Sequence, residues 1–458
     1  MRVERGRLVG PAATGVSRRR SGGGLTRAAV PDGLPSGVYS ARLTVPDGED
    51  RVPFFVRPAR GTVTADVAFL APTLSYLVYG NESSSWTAPS FEIEGLTRED
   101  MLPHVDANDR YIVENGLKSL YEVHTDGSGV CYASRRRPVV NMRPGYVMPI
   151  VRGGHQLSAD LELVDWLGAR GVAHDVVTDE DLHAEGVDLL AGYRVVVTGS
   201  HPEYWTAAML DAMERYLACG GRLMYLGGNG FYWVTSIDPE RPWTVEVRRG
   251  HAGTRVWEGE PGEGIHSTTG EPGGLWRHRG RPPQQLVGVG FTAQGFDRSL
   301  PYVRTGEAAS ATAEAVFSGV ADGRPLGDEG TVMGGAAGFE IDRFDARLGT
   351  PAHAELLASA AGFSDSYQAV IEEVRASDSR QGGTVNDAVR SDMTFVAYPN
   401  GGGVFSVGSI AWCGALSADD YGGPVSRITE NVLRTFALGG AEGARALRER
   451  VAEQPDVG

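Results

Sequence analysis

Apolar positions along this chain switch between two rhythms, most clearly between residues 156 and 226. Residues 157–169 place Leu161, Val164, Trp166 and Leu167 at helical spacing. A short apolar run follows at 174–177, helical spacing at 179–190, and a β-branched run at 193–198. Residues 205–219 return to helical spacing through Ala207, Met209, Leu210, Met213 and Leu217, and 222–226 read as a strand. Strands separated by helices of about 10 to 15 residues predict parallel βαβ units. The expected fold class is α/β, a doubly wound, flavodoxin-like sheet. Residues 65–72 supply an earlier buried strand, ending in a polar and aromatic loop over 73–81.

Different textures flank this core. Residues 36–45 alternate their apolar positions and 51–56 answer them across Pro46-Asp47-Gly48, a β-hairpin pattern. A second hairpin is expected from 393–398 and 403–408, followed by a helix over 425–438. Residues 240–350 are dense in Gly, Pro and charge, with short strands such as 285–291, and predict long loop insertions over the carboxyl edge of the sheet. The expected organisation is a disordered tail over 1–30, a β-hairpin remnant of a β-rich module over 31–62, an α/β catalytic domain over 63–438 and a charged tail over 439–458.

Composition narrows the partners. The formal net charge is -15, which argues against nucleic acid or an anionic membrane surface, because phosphate binding needs clustered Lys and Arg. No apolar run reaches the roughly 18 residues of a membrane span. Cys131, Cys219 and Cys413 stand in no paired spacing, so a reducing, cytoplasmic location is expected. The 63 glycines among 458 residues are about twice the usual share and imply many tight turns.

The chemistry concentrates in Thr198-Gly199-Ser200-His201-Pro202-Glu203-Tyr204-Trp205, which sets an imidazole, a carboxylate and a phenol at a strand end, where open α/β sheets hold ligands. Pro202 suits the first turn of a helix starting near Trp205, and His201 with Glu203 would also serve as a plain helix cap. No G-x-S-x-G elbow is present, and the three cysteines read as packing residues. Gly227-Gly228-Asn229-Gly230-Phe231 is neither a phosphate loop nor a dinucleotide fingerprint; its glycines admit a close backbone turn. Glu271, between glycines in a loop, and Glu340, after a run of small residues, are candidate oxygen donors, though each also suits a solvated acid paired with a nearby arginine. Phenolate with carboxylate makes a hard, anionic donor set suited to ferric iron.

The order of several motifs resembles the large-subunit family of N,N-dimethylformamidase. They are Leu34-Pro35-Ser36-Gly37-Val38-Tyr39, Phe69-Leu70-Ala71-Pro72-Thr73, Asp165-Trp166-Leu167, the His-Pro-Glu-Tyr turn, Gly227-Gly228-Asn229-Gly230-Phe231, Gly270-Glu271, Gly338-Phe339-Glu340-Ile341-Asp342 and Gly408-Ser409-Ile410-Ala411-Trp412. The resemblance implies a core like that of class I glutamine amidotransferases, and a mononuclear iron (Fe3+) held by two tyrosines and one glutamate. Carried onto this chain, it assigns the metal to Tyr204 and Glu271. The helix where the second tyrosine is expected has none, and Glu162 is the nearest anionic oxygen there; Tyr76 and Tyr79 are the alternatives.

The activity implied is metal-assisted hydrolysis of a small amide to formate and amine. Glu340 would be the general base, Asp297 would orient the substrate, and Phe231 with Tyr232 would form the pocket wall. A small accessory subunit and a homo-oligomer are implied as partners. The alternative is a non-catalytic binding domain for a carbohydrate or other small polar ligand.

Overall fold

A computed structural model describes residues 2–5, 19–20, 26–27, 30–31, 33–46, 48–87, 96–260, 262–306, 310–374, 380–437 and 440–453. Five strands run parallel at the centre: Val67–Ala71, His174–Thr178, Val195–Thr198, Arg222–Tyr225 and Gly403–Ser406. In space their order is second, first, third, fourth, fifth. The sheet then continues antiparallel through Ser391–Ala397, Glu355–Ala360 and Val303–Arg304. Val67–Ala71 is buried at every position and lies between two parallel neighbours. Such a strand reads as a continuous apolar run because both its faces are covered.

Several expected elements take the expected form. The helix Leu157–Ala169, the hairpin Gly37–Val45 with Gly48–Val56, the hairpin Ser391–Ala397 with Gly403–Ser406, and the helix Pro424–Ala437 all form. Others differ. The expected loop over 73–81 is largely a helix, Thr73–Tyr79, with all seven residues buried. So short a helix gains little from propensity and depends on packing; one of its free N–H groups, that of Leu74, donates to Asp179 Oδ2 at 3.0 Å.

Helical spacing over 179–190 breaks at Gly186, whose φ of 60 separates Asp179–Glu185 from Val187–Leu190. Pro202 lies outside any helix. The helix begins at Ala207, capped by the Thr206 hydroxyl, and Tyr204–Trp205 is instead a short strand parallel to Trp233–Val234. The strand expected over 285–291 divides into a helix, Pro283–Val287, and a strand, Gly290–Gln294.

Much of the 1–30 segment lies outside the described residues, but Arg2–Arg5 pairs antiparallel with the 39–42 part of the first hairpin. At the other end Gly440–Glu453 is helical, with Leu447 and Val451 buried. The long insertion contributes strands to two small sheets beside the main one. Tyr204–Trp205, Trp233–Ile237, Thr244–Val247 and Tyr132–Ser134 form the first; Glu340–Arg343, Gly290–Gln294 and Gln368–Ala369 form the second.

Candidate functional site

Three strand ends deliver one buried polar cluster. Val67–Ala71 runs into the helix bearing Tyr76 and Tyr79, Val195–Thr198 runs into His201 and Glu203, and Arg222–Tyr225 runs into Gly227, Gly228 and Asn229. The first and third of the parallel strands are neighbours here while the second lies outside them, so the cluster sits where the strand order reverses, the place open parallel sheets offer a crevice. The insertion adds Glu340, at the head of its strand, and Arg249. Close packing needs the glycines: a Cβ at Gly228 would stand 2.5 Å from the Glu340 carbonyl oxygen, and one at Gly227 2.4 Å from that of Ser200.

At the centre, Glu203 gathers donors on both oxygens. Oε1 accepts from Trp233 Nε1 at 2.9 Å and Asn229 Nδ2 at 3.2 Å; Oε2 accepts from Tyr79 Oη at 3.0 Å and Tyr121 Oη at 3.3 Å. The Tyr121 and Tyr79 oxygens are 2.7 Å apart. Three oxygens, two phenolic and one carboxylic, thus form a tight triangle. Tyr121 Oη also lies 2.5 Å from Tyr204 Oη, which accepts from the Arg249 guanidinium at 2.9 Å.

On the other side of Glu203, His201 Nε2 is 3.3 Å from Glu203 Oε2 and 3.0 Å from Glu340 Oε2. These are close ionic contacts whose angles fall short of aligned hydrogen bonds, and Nε2, like Asn229 Oδ1, has no aligned partner among the described residues. Asn229 Nδ2 donates to Glu340 Oε2 at 2.8 Å. The Asn229 turn, at φ 47, is held by its own N–H donating to Asp342 Oδ1 at 2.8 Å, while Tyr225 Oη donates to Asp342 Oδ2 at 2.7 Å. Below the His201 loop, Asp160 accepts from the Ser200 N–H at 2.6 Å and from Tyr76 Oη.

Burial dominates the electrostatics. It pushes the Glu203 carboxyl up to about 7, with His201 opposing the rise and Glu340 adding to it. It also holds the phenols of Tyr79, Tyr121 and Tyr204 well above their ordinary range, and the Glu203 charge raises each further. For His201, burial works against the cation, but Glu340 and Glu203 outweigh it and the pKa is raised. Arg249 is buried and has no carboxylate within salt-bridge reach among the described residues. Its guanidinium lies over the rings of Tyr121 and Trp233, at 4.7 and 5.1 Å, and donates to the Leu120 carbonyl as well as to Tyr204.

The structure brings together some of the sequence-derived site residues and separates others. Glu340 and Tyr204 belong to the cluster; Tyr204 reaches the triangle through Tyr121. Glu271 is a half-buried loop acid paired with Arg279 at 2.7 Å and with Thr269, and it shares no partner with Tyr204. Glu162 faces the opposite side of its helix, lining a cavity of about 560 Å³ against the first hairpin, with its carboxyl raised by burial and by Asp165. Asp297 accepts from Ser364 Oγ at 2.6 Å. Phe231 packs on Trp205 at 4.6 Å and Tyr232 on Trp233 at 5.0 Å, both as core aromatics behind the cluster.

Sequence reading missed Tyr121, Arg249 and Gln156 altogether, and set Glu203 at a ligand-holding strand end or in a helix cap without assigning it to the metal. Tyr121 lies in an irregular segment that carries no periodic signal. Among the described residues no group of three or more His, Cys, Asp or Glu side chains is gathered as a metal site; two of the triangle's three oxygens are phenolic.

The chain is 43% identical to the N,N-dimethylformamidase beta subunit of Paracoccus aminophilus over 416 residues, which is 89% of this chain and 53% of that protein. It is 42% identical to the N,N-dimethylformamidase beta subunit of Alcaligenes sp over 416 residues, again 89% and 53%. The chain therefore spans about half the length of the curated relatives it matches. The model of the family described as N,N-dimethylformamidase beta subunit-like, C-terminal, matches residues 25–424, and the chain belongs to that family.

Proposed function

We propose that this chain is the catalytic part of a metal-dependent amidohydrolase that cleaves the C–N bond of a small amide such as N,N-dimethylformamide to formate and amine. The relatives' names support the reaction, and one observation carries the metal: Tyr79 Oη, Tyr121 Oη and Glu203 Oε2 stand within 3.3 Å of one another. Two phenols and one carboxylate are the donor types the resemblance implies, although Tyr79, Tyr121 and Glu203 replace Tyr204, Glu271 and Glu162 in those roles.

The residues present fit a hard trivalent cation. A buried guanidinium without a carboxylate partner is costly, and the short chain from Arg249 through Tyr204 to Tyr121 gives it an anionic neighbour once Tyr121 is a phenolate. Three anionic oxygens favour Fe3+ among biological metals. When bound, the cation would polarise the amide carbonyl and lower the pKa of water.

The protein's own groups would do the proton work. Glu340 would take the proton from the attacking water and hand it to the leaving nitrogen as the C–N bond breaks. Asn229 Nδ2 and His201 Nε2 both approach Glu340 Oε2, which leaves Oε1 to take the proton. Tyr204 and Arg249 would support Tyr121 from behind as hydrogen-bond donors. The parallel strand order supports reading the core as flavodoxin-like or amidotransferase-like. The relatives are named as subunits, which supports a multi-subunit assembly with a small accessory chain.

Metal analysis of the purified protein, with a visible spectrum and a formate-release assay on a panel of formamides, tests the proposal. Iron near one equivalent, a phenolate charge-transfer colour and formate release are expected. A colourless iron-loaded protein, or formamides left intact by the iron-loaded assembly, would overturn it.

A further inference from the structure

Gln156 precedes the helix Leu157–Ala169 at φ 55 and ψ -124, a backbone conformation that suits glycine at the first central position of a type II′ turn. It is fully buried, and its side chain caps nothing. Its amide nitrogen instead stands between two imidazoles, 3.0 Å from His201 Nδ1 and 3.2 Å from His155 Nε2, while its Oε1 has no partner among the described residues. A strained residue whose carbonyl is left unpaired in the interior calls for a function.

The far side of the His201 ring explains the arrangement. Nε2 lies 3.0 and 3.3 Å from two carboxylate oxygens. The Gln156 amide NH2 faces Nδ1, so Nδ1 must present a lone pair and the ring's one proton lies on Nε2, beside the two carboxylates. Those carboxylates also favour a second ring proton, and a donor at Nδ1 leaves it no place.

We infer that Gln156 is a positioning residue: its amide hydrogens hold His201 in the Nε2–H tautomer, with that nitrogen 3.0 Å from Glu340 Oε2. The inference deepens the proposed function and rests on it only for the catalytic consequence. Through His201, Gln156 fixes the direction in which Glu340 presents its free oxygen.

The test uses the full chain, metal-free, with 15N-labelled histidine, and two variants. Gln156→Leu removes the donor at similar size, and Gln156→Gly removes it while relaxing the backbone, so the fold survives in at least one of them. Histidine 15N spectra of the wild type, assigned against His201→Gln, should show a proton on Nε2 alone. Both folded variants should show mixed tautomers. With the reconstituted, metal-loaded assembly, kcat should fall at least about tenfold, the low end of what a placed acid or base contributes, at nearly unchanged KM.

A single Nε2–H tautomer retained in both variants would overturn the inference, as would an unprotonated Nε2 in the wild type. A wild type inactive on amides would overturn the proposed reaction and leave the tautomer result standing, so the two failures are distinguishable.

Discussion

Tyr79 Oη donates to Glu203 Oε2 at 3.0 Å across 124 positions of sequence. The two residues come from neighbouring parallel strands of one sheet, each just past the carboxyl end. That register turns an apparent helix-capping motif into part of the proposed site, and it explains why the ionised carboxyl raises the phenol's pKa while the phenol's hydrogen bond lowers the carboxyl's.

Tyr121→Phe and Tyr204→Phe should behave differently although their oxygens are 2.5 Å apart. Loss of Tyr121 removes a proposed donor to the metal, so most of the iron and the visible colour should disappear. Loss of Tyr204 removes only support, so iron stays, with affinity lower by roughly 10- to 100-fold and a shifted absorption band. Chelator competition with visible spectroscopy measures both. Equal losses would place Tyr204 directly on the metal.

Glu340→Gln keeps the size and the Asn229 contact while removing the base. Metal content should remain at the wild-type level, and kcat should fall by about 10²- to 10⁴-fold. A variant with normal turnover in the formate-release assay would return Glu340 to a structural role.

Arg249→Met keeps much of the packing among Tyr121, Trp233 and Trp257 but removes the buried positive charge. Iron affinity should drop by roughly 10- to 100-fold, and Arg249→Lys should recover part of it. Unchanged affinity in the methionine variant would show that the guanidinium serves the fold alone.

Acid stability has a separate origin in Glu246. Burial opposes its ionisation, but the Ser267 N–H, the Arg248 guanidinium and Thr268 outweigh burial and lower its pKa from 4.5 to about 2. A carboxylate depressed on folding stabilises the protein above its unfolded pKa, and that contribution is lost as pH falls through the folded one. Glu246→Gln should therefore be less stable than wild type at pH 7 by about 1–3 kcal/mol, the usual cost of buried polar groups left unpaired. The gap should narrow below pH 4.5 and vanish near pH 2. Denaturant unfolding at stepped pH measures it, and a constant gap would disprove the linkage.

The sequence by itself determined the elements whose signal is local. Alternation gave the first hairpin, and 3.6-residue spacing gave Leu157–Ala169 and Pro424–Ala437, because each turns its large apolar side chains to the core. Motif order pointed to the family and to Glu340. Only the tertiary structure decided which residues meet. Thr73–Tyr79 is buried all round, so its apolar run has no period to betray a helix, and the sequence left Tyr79 in a loop. Tyr121 and Arg249 come from irregular chain, brought to Glu203 by sheet order and the insertion's strands. Glu271 was the glutamate that the resemblance assigned to the metal, but its loop closes on Arg279 at the surface. Convergence of oxygens distant in sequence depends on strand order and crossover connections, which no local spacing records.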